Sequence, residues 1–161
     1  MAKLIIKNYS QILFILSVLI LTSVFVIEYI FGYRPCNLCI IERFPYALAI
    51  IILFLNYNFK KDQIFYSVLL MLVFLFSTLI SIYHFGIEQG FIDESTVCSS
   101  ENLDSITKDD ILNSLQELRI SCKDVAFKIF GLSLTTYNIF LSILMFFLSI
   151  KIYLLSYDIK K

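Results

Sequence analysis

Charged side chains are scarce in this sequence. Only 16% of its 161 residues are Asp, Glu, Lys or Arg, whereas an average soluble domain has about 25%. This scarcity excludes a disordered chain and an ordinary soluble enzyme, and the balance of 13 basic against 13 acidic residues leaves no basic face for nucleic acid. Internal repeats and low-complexity tracts are also absent. What the chain has instead is 59% hydrophobic residues, which predicts a small integral membrane protein of one domain.

Four stretches carry no charge at all: 8–27, 44–59, 64–83 and 129–150. About 20 apolar residues in a helix cross the hydrocarbon core of a bilayer, and only helices or closed barrels satisfy the backbone there. The stretches are continuous apolar runs without the alternation of barrel strands. We therefore predict an all-α bundle of four transmembrane helices in a single domain, residues 1–161. The expected helices are about 9–30, 43–59, 64–83 and 132–154.

The lysines predict the orientation of this bundle. Seven of them fall on the side that holds both termini and the second loop: Lys3, Lys7, Lys60, Lys61, Lys151, Lys160 and Lys161. The positive-inside rule places that side in the cytoplasm. The external loops are then about 31–42 and 84–131, and the second of these is acidic. We expect the first helix to be retained, because no A-x-A-like cleavage site follows it.

The long external loop contains one amphipathic stretch. Its apolar residues are mostly spaced for one face of a helix: Ile106, Ile111, Leu112, Leu115 and Leu118. Thr107 and Asp110 form a weak capping box at its start. We expect a short helix lying on the membrane surface, and the alternative is an irregular polar loop with scattered apolar residues.

All four cysteines fall in the external loops, where thiols normally oxidise. Cys36 and Cys39 form a C-x-x-C motif, and Cys98 and Cys122 flank the amphipathic stretch. If the motif closes its own small ring, Cys98 and Cys122 pair with each other. Three interpretations remain open on spacing alone: two structural disulfides, a zinc site, or a redox relay. The zinc interpretation lacks a second C-x-x-C.

The position of the C-x-x-C favours the relay. Cys39 lies just before the second predicted helix, whose positive N-terminal end favours a thiolate. Arg43 follows four residues later and, if the helix starts this early, falls on the same face. Pro45 fits the first turn of that helix. The alternative for Arg43 is an interfacial side chain that extends to the headgroups.

Three segments together resemble the DsbB family of disulfide bond formation proteins. Residues 35–46 (PCNLCIIERFPY) resemble its P-C-x-L-C-x-x-[EQ]-R segment, and residues 83–91 (YHFGIEQGF) resemble its H-x-G-x-E-x-G segment. Cys98, Cys122 and residues 130–138 resemble the second cysteine pair and the start of the fourth helix. The resemblance covers nearly the whole chain in order, with the same four-helix topology.

The resemblance implies a membrane thiol:quinone oxidoreductase in the bacterial inner membrane, with its cysteines facing the periplasm. Such a protein reoxidises a DsbA-like thioredoxin-fold partner and passes the electrons to a membrane quinone, ubiquinone or menaquinone. All four cysteines are then catalytic, and no metal or nucleic acid is involved. The partner thiolate attacks Cys98, a Cys36–Cys122 bridge returns the electrons to the C-x-x-C, and Cys39 faces the quinone.

Three further residues are candidates for quinone binding. Arg43 and His84 lie at the outer ends of the second and third predicted helices, where a quinone head needs donors. Glu42 is a candidate because it adjoins Arg43. The alternative for His84 is that it caps the helix end or faces water. For Glu42, and equally for Glu28, the alternative is a solvated carboxylate at the membrane interface.

The sequence departs from the family pattern in its aromatic residues. It has no Trp, and Phe127 and Tyr137 occupy positions where relatives often carry one. Glu28 stands where relatives often have Gln. Two other functions remain as alternatives: a vitamin K epoxide reductase-like quinone enzyme, or a non-catalytic four-span protein with two structural disulfides.

Overall fold

The structure, a computed structural model, describes residues 2–58, 62–94, 98, 121–123, 128–129 and 131–160. Its elements are α1 (Ala2–Tyr29), α2 (Asn37–Ile41), α3 (Phe44–Asn58), α4 (Gln63–Glu88), β1 (Lys128–Ile129), β2 (Leu132–Ser133) and α5 (Leu134–Lys160). Four helical spans are long and apolar enough to cross a membrane, with α2 and α3 together forming one of them. The predicted all-α fold with four membrane-spanning helices is confirmed. The predicted amphipathic helix at 106–118 lies outside the described residues.

The four spans form a closed bundle. Helix α4 packs along α5, and α1 and α3 complete the ring by contacting each other and one member of that pair each. The core is apolar and includes Leu13, Ala49, Leu70, Phe74 and Met145, all at most 1% exposed. Because the outward side chains are also largely apolar, the bundle presents to lipid the surface that a membrane protein needs.

The two ends of the bundle differ in what they carry. We call the end where α1 and α4 finish, and where α2 and α5 begin, the cysteine end. The opposite end, where α1 begins, α3 finishes, α4 begins and α5 finishes, is the terminal end. The described positions of Cys36, Cys39, Cys98 and Cys122 all belong to the cysteine end.

The helices near the cysteine end depart from the expected bounds. The third helix was expected to stop at residue 83, but α4 continues to Glu88 and so includes His84 in its last turns. The second span starts at Asn37 and is interrupted by a turn at Glu42 and Arg43 before α3 begins. A polar or charged residue ends an uncharged stretch of sequence, but it does not end a helix, because the backbone hydrogen bonds of the helix continue through the membrane interface.

The chain reverses sharply after α4. Gly90 has a φ of 75°, the left-handed conformation typical of a glycine after a helix, and the amides of Phe91 and Ile92 donate to the carbonyl of Gly86. A Cβ on Gly86 would lie 2.7 Å from Cδ1 of Ile92. Gly86 therefore lets Ile92 fold back against the end of α4 and directs the following chain over the bundle.

A short antiparallel ladder leads into α5. Lys128 pairs with Ser133 and Ile129 with Leu132, and Gly131, with a φ of 83°, makes the turn between them. This ladder is the only strand pairing among the described residues. It fixes the start of α5 beside the end of α4, where the candidate site lies.

Candidate functional site: two cysteine pairs beside an apolar cavity

Both cysteine pairs occupy one buried cluster. Cys98 and Cys122 form a disulfide, and Cys36 and Cys39 carry free thiols. Cys36, Cys98 and Cys122 are only 6%, 3% and 2% exposed, and Cys39 packs against them. The fold therefore brings together two pairs that are far apart in the sequence, as exchange between them requires.

The groups that stabilise a thiolate gather on Cys36. Its side chain caps the N-terminus of α2, where the backbone N–H of Cys39 donates to Sγ over 3.2 Å. A hydrogen bond from the Cys39 thiol, assisted by His84, lowers the pKa of Cys36 to about 5, despite burial, which acts the other way. The sequence argument assigned the helix-stabilised thiolate to Cys39 instead. The difference arises because α2 begins at Asn37, so that the first cysteine of the motif is the capping residue.

His84 is fixed in place by contacts to both of its ring nitrogens. Nε2 lies 3.5 Å from Sγ of Cys36, while Nδ1 lies 3.0 Å from Oε1 of Glu42 and 3.3 Å from Oγ1 of Thr135. Thr135 also donates to Oε1 of Glu88 over 2.6 Å. His84 thus contacts both the Cys36 sulfur and a carboxylate. The sequence predicts neither contact: it suggests quinone binding, or a role in capping the helix or facing water.

Glu42 is buried, with 8% of the residue exposed. The alternative of a solvated interface carboxylate is therefore wrong for this residue. A carboxylate is buried only when it is paired or hydrogen-bonded, and His84 provides that partner. Residues that are 42 positions apart in sequence are brought together because α2 and the end of α4 are neighbours.

Arg43 faces a different set of partners from the one that its spacing suggested. Its Nη1 pairs with Oε2 of Glu28 on α1, and its guanidinium lies 5.4 Å from the centre of the Phe25 ring. Its Nε is buried and has no hydrogen-bond partner among the described residues. The predicted contact between Arg43 and the Cys39 sulfur stays a prediction.

A cavity of about 320 Å³ lies against this cluster. Apolar side chains of α1 and α5 form much of its wall. Six of the residues proposed from sequence line it: Cys36, Cys39, Glu42, Arg43, His84 and Cys122. Only Cys98 among the proposed site residues is not part of the lining, although its disulfide partner Cys122 is. The arrangement suits thiol–disulfide exchange between a dithiol and a disulfide, with an apolar cavity beside them.

The two neighbours of Cys122 in the chain, Ser121 and Lys123, are hydrogen-bonded to Glu94, which follows the reversal after α4. Ser121 donates its hydroxyl to Glu94, and the backbone N–H of Lys123 donates to the same carboxylate over 3.0 Å. These donors, the Ser121 hydroxyl foremost, lower the pKa of Glu94. The carboxylate therefore remains ionised and holds the chain on both sides of Cys122.

Sequence reasoning missed the polar contacts between α3, α4 and α5. Tyr46 donates to Asn138 over 2.5 Å and lies 3.1 Å from the hydroxyl of Ser142, while Asn138 donates to Ser81 over 2.7 Å. Thr135, which contacts His84, was also missed. Single Ser, Thr and Tyr residues in apolar runs give no signal of their own, because most bond within their own helix.

Comparison with known proteins now decides the family. Residues 7–152 match the family described as disulfide bond formation protein DsbB. The chain belongs to the DsbB family. It is also 32% identical over 142 residues, covering 85% of this chain and 81% of the relative, to Uncharacterized protein RP370 of Rickettsia prowazekii (strain Madrid E). No solved structure matches the chain significantly. Membership of the DsbB family makes this a membrane protein of disulfide bond formation, with a thiol oxidoreductase type of role.

Proposed function

We propose that this DsbB-family protein reoxidises a DsbA-like dithiol protein outside the cytoplasm and passes the electrons to a membrane quinone. The observation that carries the proposal is the single buried cluster of Cys36, Cys39, Cys98 and Cys122 beside an apolar cavity. Two inert disulfides would need neither a lowered pKa at Cys36 nor a cavity that opens onto both pairs.

In the proposed cycle, the partner's electrons enter at the loop pair. A thiolate of the partner attacks Cys98, which breaks the Cys98–Cys122 bond and leaves Cys122 reduced. The second thiol of the partner then attacks the mixed disulfide, so the partner leaves oxidised and Cys98 is reduced. Because Cys98 is only 3% exposed, this encounter requires Cys98 to become more accessible than it is in the structure.

The electrons then move to the C-x-x-C. The Cys122 thiolate attacks Cys36 in the oxidised Cys36–Cys39 pair, which forms a Cys36–Cys122 bond and releases the Cys39 thiolate. Cys98 next attacks Cys122, restores the loop disulfide and releases Cys36 as a thiolate. Its lowered pKa makes Cys36 a good leaving group at this step.

The cavity fits the quinone that would complete the cycle. Its wall offers apolar side chains for the ring and tail, and Arg43 offers a buried Nε–H without an acceptor among the described residues, which suits a carbonyl oxygen. A bound ubiquinone or menaquinone would supply an acceptor for two electrons and two protons. In the proposal Arg43 holds the carbonyl, Cys39 is the sulfur nearest the ring, and His84 and Glu42 orient Cys36.

The proposed orientation places both termini in the cytoplasm of a bacterial inner membrane and the cysteine end in the periplasm. The lysines near the terminal end support it. A membrane-impermeant thiol reagent should label all four cysteines in reduced intact cells, while a cysteine introduced at Asn58 should stay unlabelled. The opposite labelling would place the cysteines in a reducing compartment and overturn the proposal.

A turnover assay tests the proposed reaction directly. Purified protein, a reduced DsbA-like protein and a short-chain quinone should give oxidised partner and reduced quinone in equal amounts. A partner without its second thiol should accumulate a mixed disulfide that Cys98→Ser abolishes and Cys36→Ser permits. Absence of turnover with every quinone and dithiol protein tried would favour the structural-disulfide alternative.

A further inference from the structure

Three metal-binding atoms already meet at the cysteine end. The sulfurs of Cys36 and Cys39 and a ring nitrogen of His84 all lie within 4.8 Å of one another. Sγ of Cys36 and Nε2 of His84 are 3.5 Å apart. In a tetrahedral zinc site, bonds of about 2.3 Å to sulfur and about 2.05 Å to nitrogen place these two ligand atoms about 3.6 Å apart. One pair of ligands therefore has the separation that zinc requires.

The second ring nitrogen of His84 is held as in known metal sites. Nδ1 lies 3.0 Å from Oε1 of Glu42 and 3.3 Å from Oγ1 of Thr135. A metal-bound histidine commonly donates its other N–H to a carboxylate, which fixes the tautomer and leaves the first nitrogen's lone pair for the metal. Since His84 is 1% exposed and Glu42 is 8% exposed, water does not compete for this contact.

Charge and access also suit a divalent cation. Two thiolates and a neutral imidazole cancel the charge of Zn²⁺, whereas two bare thiolates would be costly in so buried a position. Thiolate ligands select zinc-like ions over Mg²⁺ or Ca²⁺. Cys36, Cys39 and His84 all line the cavity, which gives the ion an entrance and leaves room for a water as the fourth ligand.

We propose that the reduced Cys36–Cys39 pair and His84 bind Zn²⁺, with Glu42 holding the imidazole, and that the bound ion blocks the pair from forming a disulfide. Binding displaces the protons that the ligand atoms carry and transfers no electrons. The oxidised pair has no thiolate and cannot bind in this way. Zinc is therefore a reversible inhibitor that retains the protein in its reduced state, and the site exists whether or not a quinone is the natural acceptor.

Cobalt supplies the optical probe for the test. Full-length protein with Cys98→Ser and Cys122→Ser, reduced and kept free of oxygen, is titrated with Co²⁺ and then with Zn²⁺. We expect one equivalent of Co²⁺ to give a sulfur-to-cobalt absorption band that Zn²⁺ removes, and no band in the same protein after oxidation. No band in the reduced protein, or an equal band in the oxidised protein, would overturn the proposal.

Two substitutions separate this site from binding by thiols alone. His84→Gln should weaken Co²⁺ binding at least tenfold, and Glu42→Gln should weaken it by about 10- to 100-fold, the usual effect of losing a carboxylate behind a metal-bound histidine. Glu28→Gln is the matched control, because it also removes a carboxylate from the cavity wall. The affinity of this variant for Co²⁺ should stay unchanged. Equal affinity in all three variants would refute the role of His84.

A measurement on the wild-type protein tests the proposal even if the substituted proteins misfold. Zn²⁺ should slow alkylation of Cys36 and Cys39 in the reduced wild-type chain, a chelator should restore it, and Mg²⁺ should have no effect. Mass spectrometry of the labelled peptides identifies which cysteines are protected. Alkylation at the same rate with and without Zn²⁺ would contradict the proposal independently of any substitution.

Discussion

Buried polar groups bond differently in the two halves of the bundle. Towards the terminal end they bond within their own helix: the hydroxyls of Ser149 and Ser156 donate to the carbonyls four residues earlier. Towards the cysteine end several of them also bond between helices, as His84 does with Glu42 and Thr135. The first pattern satisfies isolated side chains and leaves helix packing to apolar contacts. The second fixes the positions of helices relative to one another, as a reactive site requires.

The largest effect on turnover is expected when a cysteine of the C-x-x-C is replaced. Cys39→Ser should reduce quinone-dependent turnover to background, because the C-x-x-C can no longer form its disulfide. Ser149→Ala, at a buried position on α5, should turn over normally. Steady-state oxidation of the reduced partner measures both. Appreciable turnover in Cys39→Ser would mean that the loop pair alone carries the reaction.

The next effect concerns the acceptor. Arg43→Gln should weaken quinone binding by about 10- to 100-fold, since a hydrogen bond to a charged donor is worth about 1.5–3 kcal/mol. Arg43→Lys should be intermediate, because Lys keeps the charge but loses the planar fork. The KM for a short-chain quinone gives the measurement, with the KM for the partner as the internal control. A KM for quinone that does not change in Arg43→Gln would remove Arg43 from the binding site.

A third prediction concerns the ionisation of Cys36. In the reduced Cys98→Ser/Cys122→Ser protein, the thiolate absorbance should appear as pH rises through about 5 and disappear below it. His84→Gln leaves the stronger contribution of the Cys39 thiol intact but removes a donor, so the midpoint should rise by about one to two units. Glu28→Gln should leave the midpoint in place. An unmoved midpoint in His84→Gln would show that the imidazole does not stabilise the thiolate.

The smallest predicted effect tests the comparison on one helix. Ser142 and Ser149 are both fully buried on α5, but Ser142 bonds to Tyr46 and Ser77, whereas Ser149 bonds to the carbonyl of Met145. Ser142→Ala should lower the free energy of unfolding by about 0.6 kcal/mol, the average for hydrogen bonds between membrane helices. Ser149→Ala should have a smaller effect. Denaturation in mixed micelles measures the free energy of unfolding of both variants. Equal losses of stability would mean that the hydrogen bonds between helices do not distinguish the cysteine half from the terminal half.

The sequence predicted the parts of the fold that the membrane itself dictates. Uninterrupted apolar stretches have few alternatives to a spanning helix, so the four spans followed from composition. The burial of Glu42 did not follow, because it depends on His84, a residue that only the folded bundle places beside it. The stabilised sulfur was misassigned for a related reason: Cys36 caps α2 only because the helix starts at Asn37, and helix starts are poorly defined by apolar patterns.

The reversal after α4 limits how far the proposed relay can reach. Ile92 is held against the end of α4, and six residues further along the chain is Cys98. Fully extended, that tether spans at most about 21 Å. In the proposed cycle Cys98 therefore stays near the cluster, so its attack on Cys122 to restore the loop disulfide is an intramolecular step at high effective concentration. Under the proposed function, the same tether requires the soluble partner to bring its thiols close to the bilayer surface, which favours a partner with an exposed dithiol.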